Sequence, residues 1–263
     1  MNKKFDFNVL DSMTVKSETL KGLAVEFNPL QADGVTLAVL SDLNKVSIDV
    51  YLKRNGGDTE YIFNGYLEDY LLGLYSQTPL LELYKTARGL TYKMFLDFGG
   101  ILALRGNDQL VVKMRAQNTA FTSLSTAQSS FNVETVPALG PDTPLTVVEG
   151  MGIPAGETNV NMILGDNVFR AVAVTDRSND YFASNAAKFD GVEISGEDFV
   201  KNVSKSLLEI ENISYLRNNP ETVIEDLVLY WEDEPLMGGR LQGKLTQSAD
   251  PDSKVMVVRR QWM

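Results

Sequence analysis

The sequence predicts a mostly β protein built as two tandem domains of similar make, and three observations carry that expectation. Apolar and polar residues alternate along many short runs in both halves of the chain. Turns bearing Gly and Asn separate those runs. One segment of helical spacing interrupts the alternation in each half.

In the first half, Val46, Ile48, Val50 and Leu52 share one face of an extended run, as do Met94, Leu96 and Phe98, and then Leu110, Val112 and Met114. A strand points successive side chains to opposite faces, so these read as half-buried strands. Asn55-Gly56-Gly57-Asp58, Gly99-Gly100 and Arg105-Gly106-Asn107-Asp108 are the expected hairpin or corner connections. Between them Leu67, Tyr70, Leu71 and Leu74 recur at helical spacing, which predicts a short amphipathic helix.

The second half repeats the texture with Val160, Met162 and Leu164, with Val172 and Val174, with Leu227, Leu229 and Trp231, and with Val255 and Val257. Its helix is predicted to open at Ser195-Gly196-Glu197-Asp198, a variant capping box, and to lay Phe199, Val203, Leu207 and Ile210 along one stripe. Phe199, Val203 and Leu207 are expected to pack on a sheet. A polar Ser, Thr, Ala and Gln stretch over 117–130, followed by Pro137, Gly140, Pro141 and Pro144, predicts a boundary between about residues 118 and 145. The closing segments correspond best: Leu102 to Gly106 and Leu110 to Arg115 match Leu241 to Leu245 and Val255 to Arg259. A structural duplication accounts for this, and so does the texture any two β domains share.

Composition narrows the function. With 263 residues, 44% of them hydrophobic and 22% charged, the chain has the makeup of a folded protein. A net charge of -11 repels a phosphate backbone, so broad nucleic-acid contact is not expected. Without Cys there is no disulfide, thiolate nucleophile or Cys-ligated zinc, and without His there is no Ser-His-Asp triad, HExxH site or imidazole shuttle. Neither GxxxxGK[ST] nor GxGxxG occurs. Asp6 and Asp11 interrupt any signal-like apolar region near the start, and runs such as Leu227 to Trp231 fall far below the ~20 residues of a spanning helix.

Paired carboxylates are the catalytic chemistry that remains, at Glu225 and Asp226 or at Glu232, Asp233 and Glu234. Thirty-five acidic residues make such neighbours unavoidable, and adjacent residues on a strand point to opposite faces, so a solvated edge is the favoured reading. Asp176, Asp180, Asp190 and Glu193 offer oxygens to calcium at a spacing that fits no EF-hand loop. Calcium is the one ion left open; no catalytic, cofactor or metal residue is assigned. The N-x-S matches at Asn202 and Asn212 are discounted for want of a secretion signal. Trp231 and Trp262 read either as a sugar platform or, preferably, as core or interface anchors.

Read as strand, turn, helix and closing strands, Val46 to Gly73 with Leu90 to Gln117, and Val192 to Ile210 with Val223 to Arg260, resemble the double jelly-roll major capsid proteins of tailless icosahedral viruses. The size suits compact members, corticovirus-like phages with an internal membrane, better than the larger tectivirus or adenovirus types. The resemblance implies two tandem eight-stranded jelly rolls, each with a short helix: an N-terminal arm over 1–15, a first jelly roll over 16–130 and a second over 131–263. It implies a structural, non-enzymatic subunit whose homotrimer forms a pseudo-hexagonal capsomer in the virion, after assembly in the host cytoplasm. Neighbouring capsomers, minor capsid or vertex proteins and an internal lipid membrane would be its partners. Lys3, Lys4, Phe5 and Phe7 would then form the inward, membrane-facing arm, cations beside aromatics suiting an anionic lipid interface. An ordinary solvated start leading into the first strand explains the same four residues. Two other functions stand beside the capsid reading: a carbohydrate-binding or adhesive β-sandwich of the phage-fibre or lectin kind, and a carboxylate glycosidase.

Overall fold

The computed structural model describes all residues except 8, 39–41, 43–44, 56, 68, 70–91, 116–120, 175–187 and 216–227. The chain divides into two units. The first comprises residues 1–74, 80–147 and 261–263, and the second residues 75–79 and 148–260.

Among the described residues eight strands build the first unit: β1 (Asn2–Phe5), β2 (Asp11–Val15), β3 (Thr19–Asn28), β4 (Ser47–Lys53), β5 (Thr59–Tyr66), β6 (Tyr92–Ala103), β7 (Gln109–Arg115) and β8 (Ser130–Pro137). They pair antiparallel in a nested order: β1 with β8, β2 with β7, β3 with β6, and β4 with β5. One layer runs β1-β8-β3-β6 and the other β5-β4-β7-β2. Folding a long hairpin upon itself in this way is the jelly-roll pattern. The predicted alternation supplies the core, since Ile48, Val50 and Leu52 of β4 and Leu110, Val112 and Met114 of β7 are all fully buried. Phe63, Phe98 and Phe131 fill the space between the layers.

The second unit repeats the scheme with β9 (Leu145–Gly152), β10 (Asn159–Gly165), β11 (Val168–Val174), β12 (Phe189–Ser195), β13 (Val200–Ser204), β14 (Val228–Leu236), β15 (Gly239–Leu245) and β16 (Lys254–Gln261). Its layers run β10-β15-β12-β13 and β14-β11-β16-β9. The nesting recurs: β9 with β16, β10 with β15, β11 with β14, β12 with β13. Phe189, Val192, Ile194, Leu229, Leu241 and Val257 lie in one buried cluster.

Several expectations shift. The matched closing segments are one strand out of step, because Leu110 to Arg115 lies on the seventh strand of its unit and Val255 to Arg259 on the eighth of its own. The eighth strand of the first unit is β8, beyond the expected boundary at 130, and its partners are β1 and β3. The polar stretch that reads as a linker is held in place by Asp42: Thr122, Ser123 and Leu124 all donate to its carboxylate. Within residues 1–15, β1 and β2 are both laddered into sheets. Gly99-Gly100 is not a turn between strands. Leu20 faces Leu102 and Gly22 faces Asp97, so residues 98–101 bulge within β6. Gly99 takes φ 66, and a Cβ there would collide with Thr146.

The second-half helix, α1 (Lys205–Tyr215), starts ten residues later than its predicted cap. Ser195 ends β12, residues 196–199 turn back, and β13 pairs with β12 instead. β-branched Val200 and Val203 suit that strand, and Ser204 caps the helix by accepting from Leu207 N at 3.4 Å. The new start rotates the stripe. Leu208 is fully buried, whereas Leu207, Phe199 and Ile210 are exposed, and of the predicted trio only Val203 is buried. The first-half helix lies outside the described residues apart from Leu67 and Asp69, both buried. It falls between the fifth and sixth strands of its unit, the slot α1 occupies in the second.

Candidate assembly surfaces

The four residues of the expected membrane-facing arm are placed by β1. Asn2 to Phe5 pair with Glu134 to Phe131 of β8, so alternation sends Lys3 and Phe5 to one side. Phe5 and Phe7 are each 2% exposed. The Phe5 ring meets Phe131 edge-on at 5.9 Å, Phe131 meets Phe27 at 5.4 Å, and Phe7 stacks on Phe27 at 6.2 Å. Four aromatics thereby form one packed cluster in the first unit's core. Lys3 is tied to the Asp11 carboxylate, donates to Ser12 O at 2.7 Å and sits 5.4 Å from the Phe5 ring. Burial works against the charge on Asp11, yet hydrogen bonds from Lys3 and from the Asp6 and Ser12 amides hold its carboxyl below the usual range. Only Lys4 faces solvent. The apolar half of the expected arm is therefore packed inside the first unit, with Lys4 exposed beside it.

The other sequence candidates do not converge. Glu225, Asp226, Asp176 and Asp180 lie outside the described residues. Asp190 is exposed on β12 and Glu193 half-buried, and among the described residues no group of acidic side chains is arranged to hold a metal ion. Trp231 is half-buried with the Arg170 guanidinium 3.7 Å from its ring, and Trp262 is exposed. Asn202 lies on β13 rather than in a helix. No helix among the described residues is long and apolar enough to cross a membrane.

A groove in the second unit does bring predicted residues together. The turns β12–β13 and β14–β15 meet there, joined by a hydrogen bond from Glu197 N to Met237 O of 3.0 Å, and enclose about 460 Å³. Phe199, Tyr230 and Met237 line its apolar part. Glu232 and Glu234, two apart on β14 and so on one face, join Glu197 and Asp198 around it. Burial and then Glu232 push the Tyr230 hydroxyl up, as a phenolate beside carboxylates would be costly. At one side Lys201 reaches Glu211 and Glu232, each at 3.3 Å. Burial opposes its charge, but the two carboxylates raise its pKa. Sequence reasoning singled out Glu232 and Glu234 as an edge pair. It missed Phe199 as a groove residue because a helix was expected where the turn lies.

No family model matches the chain, and no curated protein matches its sequence. Solved structures do. The STIV MCP aligns at TM-score 0.56 with 12% identity, covering 98% of this chain and 95% of its own. The major capsid protein P2 from Bacteriophage PM2 aligns at TM-score 0.53 with 11% identity, covering 100% and 98%. PNGase F, a glycosylasparaginase from Flavobacterium meningosepticum, aligns at TM-score 0.34 with 14% identity. Sixteen strands among the described residues, nested as two sets of eight, and alignment from end to end at TM-scores above 0.5 lead to one statement: this chain shares the fold of the STIV and PM2 viral capsid proteins.

Proposed function

We propose that this chain is a structural subunit of an icosahedral viral shell, a major capsid protein that works as a homotrimer. The observation that carries the reading is the doubling itself: two eight-stranded units with the same nested pairing in one chain, shared over nearly the full length with two viral capsid proteins. Three copies of a doubled chain around one axis present six similar units, and a pseudo-hexagonal block of that kind tiles a closed shell. The subunit acts by shape and contact and carries no catalysis of its own. It resides in the virion after assembly in the host cytoplasm, against neighbouring capsomers and vertex proteins.

Native mass spectrometry of the purified chain tests this directly. The expected species is a trimer of the 29.1 kDa chain. A persistent monomer at micromolar concentration, or hydrolysis of glycan substrates by the pure protein, would overturn it.

A further inference from the structure

The groove between the β12–β13 and β14–β15 turns is poorly finished for a surface that stays wet. Phe199 and Met237 are 39% and 41% exposed beside it, and Val200 follows at 61%. Four carboxylates surround that apolar patch, with Lys201 already shared between Glu211 and Glu232. Charge is uneven along the chain: residues 148–260 hold 11 Lys and Arg against 19 Asp and Glu, and the rest of the chain holds 13 against 16. A copy of the groove facing itself would oppose like charges, so a symmetric pairing through it is disfavoured.

The first unit offers a complementary surface. On the β4, β5 and β7 strands, Lys53 and Lys113 hold their ammonium groups 5.9 and 5.2 Å from the Tyr51 ring. Tyr61, paired with Tyr51 and 45% exposed, stands beside them. The acid on this face, Asp49, is taken up by Arg115 at 2.8 Å. A hydrogen bond to the Tyr51 hydroxyl, with Asp49 nearby, raises the Lys113 pKa and keeps it charged. Two cations over the buried Tyr51 ring, with Tyr61 exposed beside it, match an apolar floor ringed by carboxylates, in charge and in kind.

We infer that the acidic groove of one copy receives the Lys53–Tyr61–Lys113 face of a second copy of the chain. The contact joins two different surfaces, so it is head-to-tail; such contacts close into a ring when the rotation between copies closes and otherwise run on as filaments, and the trimer is the closed case. This deepens the trimer reading and rests on it.

Charge swapping in the full chain is the test, read by sedimentation velocity and native mass spectrometry. Glu234→Lys and Lys53→Glu, both at exposed positions, are each expected to raise the dissociation constant by about 10-fold or more. The Glu234→Lys, Lys53→Glu double variant should recover association. Raising salt from about 50 to about 500 mM should weaken the wild type more than either single variant. Glu197→Lys serves as a second groove variant, with circular dichroism to check folding. A wild-type trimer that both reversals leave unchanged, or a double variant weaker than either single, overturns this contact while sparing the capsid reading. A wild-type monomer overturns both, and so does a symmetric dimer, which is neither head-to-tail nor a trimer.

Discussion

Removing the charge of Asp42 should unlatch the loop that precedes β8. Its buried carboxylate accepts from Thr122 N and Thr122 Oγ1 at 2.9 Å, from Ser123 N at 2.5 Å, from Ser123 Oγ and Leu124 N at 2.7 Å, with Lys45 at 3.6 Å. Burial would push this carboxyl up, but the donors from Thr122, Ser123 and Leu124 outweigh it and hold the pKa far below the ordinary value. Asp42→Asn keeps the volume and turns one acceptor into a donor that faces donors. Hydrogen bonds to a charged group contribute about 1.5–3 kcal/mol each and are not additive, so a total loss of about 3–4 kcal/mol is expected. For a chain of this size that is a fall in Tm of about 6–16 °C, measurable by scanning calorimetry. The pH dependence gives a second readout. A depressed folded-state pKa means the stabilisation is fully present above the unfolded value near ~3.9 and drains away as pH falls towards the folded value. The gap between wild type and Asp42→Asn should be flat from neutral pH to about 5, then shrink by about 1.4 kcal/mol per pH unit below the unfolded pKa. A variant with the wild-type Tm, or a gap that stays constant into acid, would refute the reasoning.

Three further expectations follow from packing. Leu208→Ala, at a fully buried helix position, should cost about 2–5 kcal/mol in urea unfolding, and Leu207→Ala, 39% exposed, less than about 1 kcal/mol; equal costs would contradict the placement of α1. Phe131→Ala should cost about 3–5 kcal/mol by emptying the aromatic cluster under β1, whereas Lys4→Ser should leave stability within about 0.5 kcal/mol. Gly99→Ala places a Cβ 2.0 Å from Thr146 Oγ1 at a left-handed φ of 66, so a loss above about 2 kcal/mol is expected. Pairing it with Thr146→Gly should relieve the collision and leave the backbone strain.

The sequence by itself determined the β class and the excluded chemistry, and it raised a doubling without deciding it. Alternation at Val46 to Leu52 and Leu110 to Met114 is a local signal, readable because a pleated strand repeats every two residues. The absence of His and Cys settles its consequences without any coordinates. What tertiary structure decided was every question of which segment meets which. Lys3, Lys4, Phe5 and Phe7 read equally as an arm or a strand, and it is β8, more than 120 residues away, that makes Phe5 core and Phe27 of β3 that covers Phe7. The Ser195 cap lost to Ser204 because β12 offered residues 200–204 a hydrogen-bonded ladder, and cross-strand pairing outweighs local helical preference. The polar stretch over 117–130 read as a linker because the anchor of its Thr122 to Leu124 segment, Asp42, lies about 80 residues earlier. The groove is likewise built from two turns separated in sequence, so its carboxylates were visible in the chain and its apolar floor was not. Non-local contacts carry no periodicity, and in a jelly roll the nested pairing makes most of the decisive ones non-local.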